Sequence, residues 1–173
     1  MMMASVATFA QNEVGQITVM PKIGLNISDL QKADDTNTRC GLAVGAEFEY
    51  GLTDMVGLSA GLIYSMQGAK DAGTMKADYI NIPILANVYV MKGLAVKLGL
   101  QPGLNVNSEY ELSGQNVNID AKTFDLSIPV GVSYQFNNIV IDGRYNYGVT
   151  KAFDGADYKN SVFQITVGYK FAL

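Results

Sequence analysis

From Ser161 to Leu173 the chain reads SVFQITVGYKFAL, and every second residue is large and apolar: Phe163, Ile165, Val167, Tyr169, Phe171 and Leu173. Val162, Gln164, Thr166, Gly168, Lys170 and Ala172 lie between them. Successive side chains of a β-strand point to opposite faces, so a period of two defines a strand with one apolar face. The same pattern recurs in seven segments upstream. Alternating segments of about 11 residues match the length needed to cross a bilayer as tilted strands. The repetition predicts an all-β fold, an eight-stranded antiparallel up-and-down transmembrane β-barrel.

In chain order the predicted strands start near Ile17, Arg39, Val56, Ala77, Leu94, Phe124, Ile139 and Ser161. Two residues disturb the alternation: Ile63 and Leu85 are large and apolar where a polar or small residue is due. Pro21 lies inside the first strand, where a missing N–H calls for an edge or a bulge. The polar stretches Ser28–Thr38, Gly68–Lys76, Ser108–Lys122 and Thr150–Asn160 read as long loops. Gly51–Asp54, Met91–Gly93 and Asn137–Asn138 read as tight turns. Connections therefore alternate long and short, as in a meander with short periplasmic turns and longer outer loops. An even strand count puts both termini on the periplasmic side.

Alternation alone does not say which face meets solvent, because a lipocalin-like soluble barrel alternates with its apolar face inside. Composition decides. Charged residues make up only 16% of the chain and apolar residues 49%, yet no apolar run is long enough for a membrane helix. The polar face is rich in Gly, Ser, Asn, Thr and Gln, which suit the crowded interior of a narrow barrel better than a solvated exterior. Its charges balance: Lys22, Lys97, Arg144 and Lys170 stand against Glu47, Glu49, Asp125 and Asp142. Enclosed charges must be paired, so these eight are the candidate interior network. Aromatic residues of the apolar face gather near strand ends: Phe48, Tyr50, Tyr134, Phe136, Tyr169 and Phe171 at one end, and Tyr64, Phe124, Tyr145, Tyr147 and Phe163 at the other. Two interfacial girdles have this distribution. The apolar face is therefore expected outside, against lipid.

The chain contains no histidine, which removes imidazole bases and ligands together. The single Cys40 cannot form an internal disulfide and reads as a small apolar residue. A net charge of −4 argues against a nucleic-acid partner. The acids of the long polar stretches (Asp29, Asp34, Asp35, Asp71, Glu109, Glu111, Asp120, Asp154 and Asp157) have no calcium-loop spacing. No catalytic residue, metal site or cofactor is assigned, and the chain is expected not to be an enzyme. Residues 1–10, MMMASVATFA, resemble the end of an export signal, leaving 11–173 as the barrel.

Two segments carry a family resemblance. The C-terminal Thr166, Gly168, Phe171 and Leu173 resemble the insertion signal of outer-membrane proteins, with Leu173 where an aromatic residue is usual. Tyr79–Leu85, YINIPIL, followed by Lys97–Gly103, KLGLQPG, resembles the small porin-family barrels of Bacteroidetes, a PorT-like group within the OmpX- and OmpA-like eight-stranded proteins. The resemblance implies an outer-membrane location and contact with membrane lipid, lipopolysaccharide and the outer-membrane assembly machinery. It implies no catalytic residues. The expected role is a monomeric barrel presenting four external loops for structural, adhesive or receptor-like work, with an extracellular ligand at those loops. The alternatives are a narrow passive pore and a soluble barrel holding an apolar ligand.

Overall fold

The computed structural model describes the backbone of residues 13–30, 39–70, 74–112, 115–118, 124–153 and 156–173. The signal-like tail and the acids Asp34, Asp35, Asp71, Asp120 and Asp154 lie outside the described residues. Eleven strand segments are present: β1 (Ile17–Leu30), β2 (Arg39–Gly51), β3 (Val56–Lys70), β4 (Thr74–Asn81), β5 (Ile84–Met91), β6 (Leu94–Leu112), β7 (Gln115–Asn118), β8 (Phe124–Phe136), β9 (Ile139–Phe153), β10 (Ala156–Tyr169) and β11 (Phe171–Ala172). β4 and β5 form one barrel strand broken at Ile82-Pro83, β10 and β11 form another broken at Lys170, and among the described residues β7 pairs only with β6. What remains is an antiparallel meander of eight strands, closed where Lys22 of β1 pairs with Gly168 of β10.

The apolar face is outside. Ile23, Leu25, Leu62, Leu98, Val132 and Ile165 are exposed, while Lys22, Asn26, Ser59, Gln101, Asp142 and Gln164 are buried within. This arrangement is the reverse of a lipocalin-like barrel. Both aromatic sets face outward on the same wall, so hydrocarbon and interface contacts fall on one continuous surface. Ile63 and Leu85, the two disturbances in the alternation, keep the strand period and point inward, at 1% and 0% exposure. Each has a glycine as cross-strand neighbour: Ile63 pairs with Gly45, and Leu85 with Gly99. A large side chain beside a missing one fills a narrow lumen without overlap.

All four stretches read as long loops carry strand beyond the expected ends. β1 ends at Leu30 and β3 at Lys70; β4 begins at Thr74; β6 runs to Leu112, and β9 and β10 reach Phe153 and Ala156. Those stretches are polar, so the apolar alternation fades where lipid ends, while backbone pairing continues. The opposite rim is tight. Asn137 has a positive φ of 53° and starts the two-residue turn between β8 and β9; Gly93 has φ of 83° at the β5–β6 turn.

One break in the wall falls at a proline and the other beside a proline of the neighbouring strand. Pro83 sits in the β4/β5 gap, where Gly61 N–H donates to the Pro83 carbonyl at 3.0 Å and Ile82 N–H to the Pro102 carbonyl at 2.8 Å. At the seam, Lys22 pairs with Gly168 and Val19 with Phe171, so Met20 and Pro21 face the gap at Lys170. Asn138 occupies the other side of that gap. Its carbonyl accepts from Lys170 N–H at 2.7 Å, and its Nδ2 donates to the Lys170 carbonyl at 2.8 Å.

Interior glycines are steric requirements. A Cβ at Gly99 would overlap the Ile84 carbonyl oxygen and stand 2.8 Å from Leu85 Cα, whereas a Cβ at Gly143 meets nothing within 4 Å. Gly99→Ala is expected to cost about 1–3 kcal/mol through overpacking and Gly143→Ala to change stability by less than about 0.5 kcal/mol. Urea midpoints of the two variants in detergent, read by the gel shift between unboiled and boiled samples, separate these outcomes. Equal midpoints would sink the steric account.

Candidate functional site

The described polar groups that could do chemistry or carry ions converge on the barrel interior. Lys22 comes from β1, Glu47 from β2, Lys97 from β6, and Asp142 and Arg144 from β9. Arg144 grips Asp142 with both prongs of its guanidinium: Nε lies 2.9 Å from Oδ1 and Nη2 2.8 Å from Oδ2. The same Nη2 donates to Glu47 Oε2 at 2.5 Å. Lys97 Nζ adds a 2.6 Å contact to Asp142 Oδ2 and stands 4.0 Å from Glu47 Oε1. Lys22 contacts Glu47 and lies 3.6 Å from Asp142. Each carboxylate thus meets all three cations, and the side chains are nearly inaccessible to solvent.

A second cluster adjoins the first. Lys170 Nζ lies 2.9 Å from Glu49 Oε1 and 3.1 Å from the Tyr89 hydroxyl. Tyr89 donates to Glu49 Oε1 at 2.7 Å, and Asn87 donates to Glu49 Oε2 at 2.5 Å and to Ser59 Oγ at 3.1 Å. A third, uncharged cluster joins β1, β3 and β10: Asn26 Nδ2 donates to Ser65 Oγ at 2.7 Å, and Gln164 Nε2 donates to Asn26 Oδ1 at 2.8 Å.

Seven of the eight expected charges therefore meet in two adjoining clusters. Asp125 does not join them; it accepts from the Thr150 hydroxyl, which also accepts from Leu126 N–H at 3.0 Å. Tyr89, Asn87 and Ser59 complete the Glu49 site, although their residue types alone did not single them out. Glycines give the long side chains room. Gly131 pairs with both Lys97 and Arg144, and a Cβ there would lie 3.0 Å from Arg144 Cγ; one at Gly61 would lie 2.6 Å from Glu47 Cγ. The abundance of glycine on the polar face was the signal available in the sequence. Of the C-terminal motif, Thr166 and Gly168 face inward and Phe171 and Leu173 outward.

Chemically, this site is a brace. It ties β1, β2, β6 and β9 across the lumen through charge-assisted bonds that water does not reach. An eight-stranded barrel apolar outside and cross-linked by buried ion pairs inside is an integral membrane barrel of the outer-membrane type. Residues 9–154 match the family described as outer membrane protein beta-barrel domain, and the chain belongs to that family. It resides in the bacterial outer membrane.

Solved structures agree on the fold. Neisserial surface protein A is 16% identical, with a TM-score of 0.59 over 90% of this chain and 97% of that one. Ail, the attachment invasion locus protein of Yersinia pestis, is 17% identical, with a TM-score of 0.56 over 92% of this chain and 100% of that one. The N-terminal barrel domain of Pseudomonas aeruginosa OprF is 18% identical, with a TM-score of 0.50 over 91% and 99%. No curated protein gives a significant match to the sequence.

Removing Arg144 leaves Glu47 and Asp142 with fewer partners in a water-poor site. Arg144→Ala is expected to destabilise the barrel by about 3–5 kcal/mol. Asp125→Asn, which keeps an acceptor for Thr150 and lies outside both charge clusters, should cost less than about 1 kcal/mol. Denaturant titration of both variants in the same detergent checks the contrast. An Arg144→Ala midpoint equal to that of the parent would remove the brace from the account of stability.

Proposed function

We propose that this chain is a non-enzymatic, monomeric outer-membrane barrel. Its lumen is a structural brace, and its work is done by the hairpins beyond the long-connection rim, in adhesion or as a receptor. The observation that carries the reading is the contrast between the two ends. One rim is closed by tight turns such as Asn137-Asn138, while at the other β3, β4, β6, β9 and β10 run on past the polar limit of the wall. Between the ends, the clusters around Glu47 and Glu49 span the lumen. Paired charges held at 2.5–2.9 Å bridge the lumen between strands, which argues against a passive pore.

On this reading the long hairpins face outward from the cell, both termini face the periplasm, and lipid and lipopolysaccharide surround the apolar wall. Thr166, Gly168, Phe171 and Leu173 would be read by the assembly machinery before closure. Ail, described as an attachment invasion protein, supports attachment as a use to which such a barrel can be put.

Orientation and closure are tested together in a Cys40→Ser background. Lys70→Cys should react with a membrane-impermeant maleimide on intact cells, and Asn137→Cys only after permeabilisation. The purified barrel should give no stepwise conductance in planar bilayers. Reversed labelling would overturn the outward placement of the hairpins, and steady conductance would overturn the closed lumen.

A further inference from the structure

The charges of the lumen do not balance where they meet. The Glu47 cluster holds three cations, Lys22, Lys97 and Arg144, against two carboxylates, Glu47 and Asp142. The adjoining cluster sets Lys170 against Glu49, one of each. Among the described residues the two clusters together therefore carry one positive charge in excess. The acid that would cancel it stands elsewhere. Asp125 pairs with Gly103 of β6, six residues from Lys97 and about 20 Å along the strand at the usual rise. Asp78, also buried, pairs with Asn107, further along the same strand. An enclosed charge without a counter-charge is costly, so the excess calls for a partner.

A small cavity lies between the two clusters. Glu47 and Lys97 line it from one, Glu49, Tyr89 and Lys170 from the other, and Thr18 of β1 joins them. It has room for about one particle the size of a water molecule or a small ion. Two of the lining groups have donors to spare. Thr18 is buried, and among the described residues its Oγ1 has no hydrogen-bond partner. Lys97 Nζ carries three N–H groups, of which Asp142 Oδ2 takes one at 2.6 Å. Glu47 Oε1 also lacks a hydrogen bond, but Lys22, Lys97 and Arg144 already surround that carboxylate, with Lys97 Nζ 4.0 Å from Oε1. Spare donors beside an excess of positive charge suit a small anion. A cation would add to the excess, and a water would leave it in place.

We infer that this cavity is a binding site for one monovalent anion of halide size, held by the Lys97 ammonium and the Thr18 hydroxyl. The bound anion brings the two clusters to neutrality and completes the brace. Gly93 of the β5–β6 turn and Gln135 also line the cavity, so the ion reaches it from the tight-turn rim. The site does not depend on what the hairpins at the opposite rim bind.

The test uses the full chain refolded in detergent micelles, in sodium chloride or in sodium sulfate at equal ionic strength. Sulfate is too large for the cavity, and in general it stabilises folded proteins more than chloride does. An anion bound only by the folded state raises the folding equilibrium constant. Chloride is therefore expected to reverse the usual order. The constant, read from urea titrations by the heat-dependent gel shift, should be at least about tenfold higher in chloride than in sulfate. Thr18→Val should reduce that preference. Lys22→Met, which removes one cation and lies outside the cavity lining, should abolish it. Crystals grown in sodium bromide should show anomalous scattering beside Lys97 Nζ. Sulfate stabilising the parent at least as well as chloride would overturn the inference. So would density in the cavity without a bromide signal, the mark of a water. A chloride preference that survives Lys22→Met unchanged would overturn it too, because the site would then owe nothing to the excess charge. Should Lys22→Met fail to fold, Thr18→Val and the bromide map decide.

Discussion

Closure of the backbone ladder in a medium without water governs this molecule. Inside hydrocarbon an unpaired N–H or C=O has no solvent to turn to, so a sheet can cross only if its first and last strands meet. β1 and β10 meet over nine paired positions from Lys22 to Leu30. The chain nonetheless puts all four of its prolines into the wall or its gaps. Each removes a donor, and strand pairing continues around it. The Pro83 and Pro102 carbonyls accept from Gly61 and Ile82, and Asn138 pairs with Lys170 through both backbone and side chain opposite the Pro21 gap. Asn138 thus does two jobs, completing a tight turn and finishing the ladder of the neighbouring strand.

An outward apolar face forces a polar inward face, and enclosure then makes every polar choice consequential. Three cations and two carboxylates share one cluster, and Lys170, Glu49 and Tyr89 form its neighbour. Such pairs recover their desolvation cost only with good geometry. The bidentate grip of Arg144 on Asp142 provides it, and the glycines at 61 and 131 make the space for it. Lys could not replace Arg144, since an ammonium cannot hold one carboxylate in two places while reaching a second.

The sequence made the wall legible because lipid enforces a strict rule on each strand by itself. Alternation from Ser161 to Leu173, the inward placement of Lys97 and Arg144, and the turn at Asn137 are all local facts. What was not legible is non-local. Charge counting grouped Asp125 with the network, but its strand position is high on β8, beside Thr150, and the stagger between strands sets that height. Ile63 and Leu85 looked like errors of pattern until register placed glycines beside them. The polar ends of β3 and β6 read as loops because, beyond the lipid, nothing requires alternate residues to be apolar.

That last point separates the molecule into two regimes. Within the membrane, the surroundings punish an open edge, and the fold closes its seam to avoid one. Above the membrane, water satisfies an open edge, so the hairpins of the rim need no closure. The same backbone groups that had to be hidden become available. A strand edge in water is tolerable, whereas the lumen is held by its brace. Variation that leaves the barrel intact is therefore expected at the rim, where neither lipid nor enclosure dictates which residues stand on each face.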